Sequence, residues 1–177
     1  MQSEMDYDPV ERLTTDAIGK PGNRVFYLQA VSSGETITLL IEKLQVTSLA
    51  VGIEKFLTEV EERFPQFPPA SRDYVDDEMR IAPPVDPLFR VGEISIMFDP
   101  ERDMSGLVVT EIDLGQEQTD DPPLRTLRLW CTRSQLKAMA HWGLQVANQG
   151  RQICPQCGEP MDPNGHFCPK KNGHKRN

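Results

Sequence analysis

Three of the four cysteines in this 177-residue chain fall between positions 154 and 168, with a histidine among them. They form the runs Cys154-Pro155-Gln156-Cys157-Gly158 and Gly165-His166-Phe167-Cys168-Pro169. From Ile153 onward the only other sizeable apolar residues are Met161 and Phe167. Burial therefore cannot offset the entropy of ordering this stretch. Bonds to a metal ion can, because a structural site adds its binding free energy directly to folding.

Ligand type and spacing narrow the metal. The Cys-Pro-x-Cys-Gly run is a tight turn, or knuckle, that aims two thiolates at one point. Zinc takes four such ligands tetrahedrally, as thiolates and imidazoles, in structural sites. Cys168 is the natural third ligand, since Cys168-Pro169 repeats the opening of the first turn. A full zinc ribbon would carry another cysteine three positions on, where this chain has Lys171, so a histidine must complete the set. His166 lies two residues before Cys168, which puts both side chains on one face of an extended strand. His174, beyond an Asn172-Gly173 turn, is the alternative. His166 is favoured, because the short Asp162-Pro163-Asn164-Gly165 turn holds it near the first knuckle and His174 lies close to a fraying end. The expected site is one structural zinc on Cys154, Cys157, His166 and Cys168. A catalytic zinc would need an open position and a base, and the nearby Glu159 and Asp162 read as solvated turn residues.

Residues 1–150 read as an α+β body of two similar β-β-β-α halves, about 1–64 and 88–150, and residues 151–177 as the metal-binding tail. In the first half, a strand at Arg12–Ile18 precedes Asn23–Val31, a Ser32-Ser33-Gly34 hairpin turn and Glu35–Lys43. Thr47 or Ser48 can then cap a helix running to about Arg63, with Leu49, Ile53, Phe56, Leu57, Val60 and Phe64 on its buried face. The second half repeats the order: Phe89–Asp99, Leu107–Leu114 and Thr126–Thr132, then a helix capped by Ser134 with Leu136, Met139, Ala140, Gly143, Val146 and Ala147 as its stripe. Hairpin connections imply antiparallel sheet with helices packed on it. Between the halves, Pro65, Pro68, Pro69, Pro83, Pro84 and Pro87 break up residues 65–87. With Asp73, Asp76, Asp77 and Glu78 among them, this stretch reads as a solvated acidic linker.

Charge and missing chemistry restrict function. The net charge of −8 divides into +3 on residues 151–177 and −11 on the body, and an acidic body repels nucleic-acid phosphates. No apolar segment suited to a signal peptide or a membrane span stands near the start. With metal-type cysteines, a reducing cytoplasm is the expected compartment. Cys131, alone in an apolar strand after Trp130, reads as a buried core thiol, and Trp130 and Trp142 as core or edge residues. There is no glycine-rich phosphate loop, nucleophile elbow or paired histidine on a helix. His141, beside Trp142, reads as half-buried, and Glu111 and Asp113 as polar residues of a half-exposed strand. No catalytic or cofactor-binding residue is assigned.

Several segments together resemble an uncharacterised bacterial family, domain of unknown function 3090. They are Gly19-Lys20-Pro21-Gly22-Asn23-Arg24, Phe26-Tyr27-Leu28-Gln29-Ala30, Glu42-Lys43-Leu44-Gln45-Val46 and the Cys154–Cys168 tail. The likeness spans nearly the whole chain. It implies a tail with a Gly-His-x-Cys element and no final histidine, which favours His166 over His174. It implies no established activity and supplies no catalytic residues. The family's genes lie near a histidine-phosphatase-like and a kinase-like protein, which implies a partner role in a phosphate-related pathway. The leading expectation is a cytoplasmic interaction or regulatory module with a protein partner. An enzyme acting on a phosphorylated or nucleotide substrate is the second reading, and a weak nucleic-acid binder through the basic tail the third.

Overall fold

A computed structural model describes residues 3–115, 122–162 and 165–172. The acidic stretch 116–121 lies outside these residues, as do Pro163, Asn164 and His174.

The two halves fold as two antiparallel meanders, each followed by a helix. Strands β2 (Arg12–Lys20), β3 (Asn23–Ser32) and β4 (Glu35–Ile41) make a three-stranded sheet in that order. The β3–β4 turn is two residues long, with Ser33 at φ 50° and Gly34 at φ 79°. This left-handed pair matches the twist of the flanking strands. Strands β5 (Val91–Asp99), β6 (Met104–Glu111) and β7 (Arg125–Cys131) make the second meander. Its outer side carries an element the sequence reading lacked, β1 (Ser3–Tyr7), which pairs with β7 in parallel. The class is α+β, and one of its two sheets is mixed rather than purely antiparallel. Arg128 on β7 holds β1 in register, since Asp6 lies directly opposite it and accepts its Nη1 at 3.1 Å. The sheets meet at two seams. Leu40 N–H donates to Phe89 O at 3.0 Å on one side; Val10 N–H to Trp130 O at 2.8 Å and Glu11 N–H to Val31 O at 2.7 Å join them on the other.

Helices α1 (Lys43–Arg63) and α3 (Arg133–Asn148) pack on each other, and α3 on β2. The expected stripes face inward: Leu49, Ile53, Leu57 and Val60 on α1, and Leu136, Met139, Ala140, Gly143, Val146 and Ala147 on α3, are buried, while Phe56 and the C-cap Phe64 are only half-buried. They share one core with Leu28, Leu39, Leu107, Leu127, Leu129 and Trp142. The close approach of α3 to β2 needs Gly143, where a Cβ would stand 2.5 Å from Thr15 Oγ1.

Both helices begin earlier than expected. Helix α1 starts at Lys43, because Gln45 Oε1 accepts the Glu42 N–H at 2.9 Å and fixes the first turn there. The Thr47 hydroxyl instead donates to Leu44 O inside the helix. On α3 the cap is Thr132, in a reciprocal box with Gln135. Ser134 Oγ is turned outward and accepts the Ser71 N–H at 2.9 Å.

That bond belongs to a larger correction. Residues 65–87 do not simply bridge the halves through solvent. The acidic side chains Asp73, Asp76, Asp77 and Glu78 are exposed, but the backbone between them lies on the body as a strap, with a short helix α2 (Asp76–Met79) whose Met79 is buried. Buried polar side chains on β2 and β3 meet its peptide groups. Thr14 Oγ1 donates to Met79 O at 2.6 Å, Asp16 accepts the Ile81 N–H at 3.0 Å, and Gln29 bonds both the N–H and C=O of Ala82 at 2.9 Å. Asp16 and Gln29, about 2% and 1% exposed, would be costly in a core without these partners.

Candidate metal centre

The tail folds as a small hairpin whose turn is the first knuckle. Cys154 N–H donates to Glu159 O at 2.8 Å and Met161 N–H to Gln152 O at 2.7 Å, so Ile153 and Pro160 pair across it. Gly158 N–H closes the knuckle on Cys154 O at 2.9 Å, with Gly158 at φ +75°, a conformation side chains other than glycine resist. A second turn, closed by Gly165 N–H on Asp162 O at 3.1 Å, brings the chain back to the knuckle. His166 and Cys168 then face inward and Phe167 outward, where it is exposed. This is the two-residue alternation of extended chain.

The metal-binding atoms of Cys154, Cys157, His166 and Cys168 all lie within 4.8 Å of one another. Cys154 Sγ and Cys168 Sγ are 3.9 Å apart, and Cys157 Sγ is 3.3 Å from His166 Nε2. A tetrahedral ion with bonds of about 2.3 Å to sulfur and about 2.0–2.1 Å to nitrogen sets those edges at about 3.8 and 3.6 Å. The donor set thus closes around a space of the right size, and all four corners come from protein. Two of the four, Cys154 and Cys168, are buried.

Local backbone prepares the thiolates. The N–H groups of Cys157 and Gln156 point at the Cys154 sulfur and hold its thiol down to about 6. At Cys157 the Glu159 N–H favours the thiolate most strongly, but desolvation and the neighbouring Cys154 and Cys168 outweigh it and leave that thiol raised. A cation held between them favours the thiolate forms of Cys154 and Cys157.

The remaining candidate residues take structural positions. Cys131 is fully buried; desolvation pushes its thiol up to about 12, and it donates to Ser105 O at 3.5 Å. Such a thiol is inert. His141 Nδ1 bonds the Tyr74 hydroxyl at 2.9 Å, fastening the strap to α3. Glu111 accepts two guanidinium bonds from Arg125, at 2.9 and 2.6 Å, and these hold its carboxyl below the ordinary value of 4.5. Asp113 caps a turn by accepting the Gly115 N–H. Trp142 is buried in the core, and Trp130 is half-buried under Arg102.

Comparison with known families adds one finding. The model of the family described as protein of unknown function (DUF3090) matches residues 5–168. The chain belongs to this family. The DUF3090 match runs from β1 through the whole body and ends on Cys168, so it takes in all four residues of the cluster. No curated protein and no solved structure matches the chain.

Two groups of residues escaped the sequence reading. The strap-binding Asp16 and Gln29 are polar residues within strands, and nothing near them in sequence marks the chain that covers them. The other group is Arg24, Lys43 and Arg151, which line one cleft between body and tail. Its members lie far apart along the chain, so no local pattern announces it.

Proposed function

We propose that this DUF3090 protein is an interaction module of a reducing, cytoplasmic compartment, its tail held by one structural zinc on Cys154, Cys157, His166 and Cys168. The observation that carries the metal reading is the closed donor set: three sulfurs and one imidazole nitrogen within 4.8 Å of one another. Zinc is the ion of choice for a thiolate-rich tetrahedron. A site with four protein ligands leaves no corner for water or substrate, so the role is structural. The end of the family match at Cys168 supports His166 as the fourth ligand.

The interaction reading rests on the outer side of α1. Leu44 and Val51 are 77% and 67% exposed there, in one stripe with Ser48. Ser48 also lines a groove of about 400 Å³ that Phe56, Ile94 and Ile96 complete between α1 and β5. Exposed apolar surface beside such a groove suits a protein partner. Capture from native lysate tests this with the zinc-loaded chain and a Leu44→Glu/Val51→Glu variant. A partner retained by the first and lost by the second is expected. An identical set recovered by both contradicts the reading.

A further inference from the structure

The cleft between body and tail carries charge that the rest of the molecule does not balance. It is about 440 Å³ in volume, and Arg24 of β3, Lys43 of α1 and Arg151 of the tail line it. Lys43 Nζ and Arg24 Nη2 lie 3.1 and 3.2 Å from the point where a Cβ on Gly150 would stand, so two cations converge beside one glycine. Among the described residues neither belongs to an ion pair. The cleft's one carboxylate, Glu42, is engaged by Arg90, and Arg151 is shared with Asp162 at 3.2 Å.

The helix ends account for Arg24 but not for Lys43. Arg24 donates to Val146 O at 2.7 Å and Ala147 O at 3.4 Å, so the negative end of α3 is already engaged. Lys43 is the first residue of α1, at its positive end, next to the N-cap Glu42, whose carboxylate accepts the Gln45 N–H. A lysine there is disfavoured by the macrodipole, and an adjacent arginine adds repulsion. In a chain of net charge −8, such a pair is notable. A dianion seated between them would turn the repulsion of Lys43 and Arg24 into attraction and suit the positive end of α1. The Lys43 ammonium and the Arg24 N–H groups not bonded to α3 are donors suited to phosphate oxygens. Beside them, Phe26, Val25 and Ile153 give an apolar wall, the latter two 43% and 59% exposed.

The geometry points to a binding site for a phosphomonoester with an apolar group: phosphate between Lys43 and Arg24, apolar part against Phe26 and Ile153. The tail's share of the wall rests on the metal-held tail, so zinc content is measured in every sample. This separates loss of the tail from loss of the anion site.

The test is calorimetric titration of the zinc-loaded full chain with phenyl phosphate, inorganic phosphate and phenol. Phosphomonoesters are used because pyrophosphate would strip zinc. Saturable one-to-one binding of phenyl phosphate is expected, tighter than that of inorganic phosphate, with no saturation by phenol. Lys43→Met should weaken it at least about tenfold, whereas Lys55→Met, which removes the same charge elsewhere on α1, should not. Gly150→Ala should also weaken binding, by placing a methyl between the cations at unchanged net charge. Absence of saturable phenyl phosphate binding overturns the proposal. So do equal losses in the Lys43 and Lys55 variants, or phenol binding as tightly as its phosphate ester. Should Lys43→Met fail to fold, Gly150→Ala decides: affinity equal to wild type overturns the site.

Discussion

His166 enters the cluster by an alternation of three residues: His166 and Cys168 face the knuckle, and Phe167 faces solvent. In the proposed site, replacing His166 by alanine removes a neutral ligand and opens a corner of the tetrahedron. His166→Ala should lower bound metal to well under one equivalent during dialysis against a mild chelator, while His174→Ala should retain it; metal analysis of the two variants checks this. Glu111 gives a residue-scale prediction about pH. Its folded-state pKa is depressed, chiefly by the Arg125 hydrogen bond, so its contribution to stability is present above the ordinary value of 4.5 and fades as acid protonates it. The pair is partly exposed, so Glu111→Gln should cost no more than about 1 kcal/mol at neutral pH. In urea titrations that cost should shrink toward zero below about pH 4. A cost that stays constant into acid would mean that the carboxylate charge is not what stabilises.

At the scale of elements, the contact between α3 and β2 is set by one glycine and one threonine. A methyl at Gly143 would press on the Thr15 hydroxyl at 2.5 Å and on Val46 at 3.1 Å. Gly143→Ala should therefore destabilise by about 1–3 kcal/mol despite the better helix propensity of alanine. Thr15→Ala should restore much of that loss, since Thr15 Oγ1 is itself buried without a partner; denaturant unfolding of the single and double variants measures the coupling. The strap offers a second test. Gln29→Leu would strand the Ala82 N–H and C=O. Amide exchange at Ile81 and Ala82 should accelerate at least about tenfold while β3 and β4 stay protected. How much of this was legible in the sequence varies from element to element. The helical stripes and hairpins were readable because apolar spacing reports directly on burial. Strand β1 was not, because a short polar segment becomes a strand only by parallel pairing with β7, far along the chain. The docked strap was hidden for a similar reason, since nothing near Asp16 and Gln29 in sequence marks the chain that covers them. The caps lie five or six residues earlier than expected on α1 and two earlier on α3, because Glu42–Gln45 and Thr132–Gln135 cap better than the hydroxyls beside them.

For the whole molecule, the Cys/His cluster was legible because its four residues lie close in sequence and their types admit few chemistries. The cationic cleft was not, because Arg24, Lys43 and Arg151 meet only in the folded chain. The body has one continuous core, and no cluster residue belongs to it. Metal removal should therefore release the tail and leave the body folded. In amide-resolved spectra, signals from residues 153–168 should collapse toward random-coil positions on chelation while those of β2–β4 and α1 stay in place. The central claim is a closed zinc site of three thiolates and one imidazole. X-ray absorption at the zinc edge, on protein purified without chelator, tests it most directly. One zinc per chain is expected, with three sulfur neighbours at about 2.3 Å and one nitrogen at about 2.0–2.1 Å. Protein without zinc, or a spectrum requiring oxygen neighbours or only two sulfurs, would contradict it.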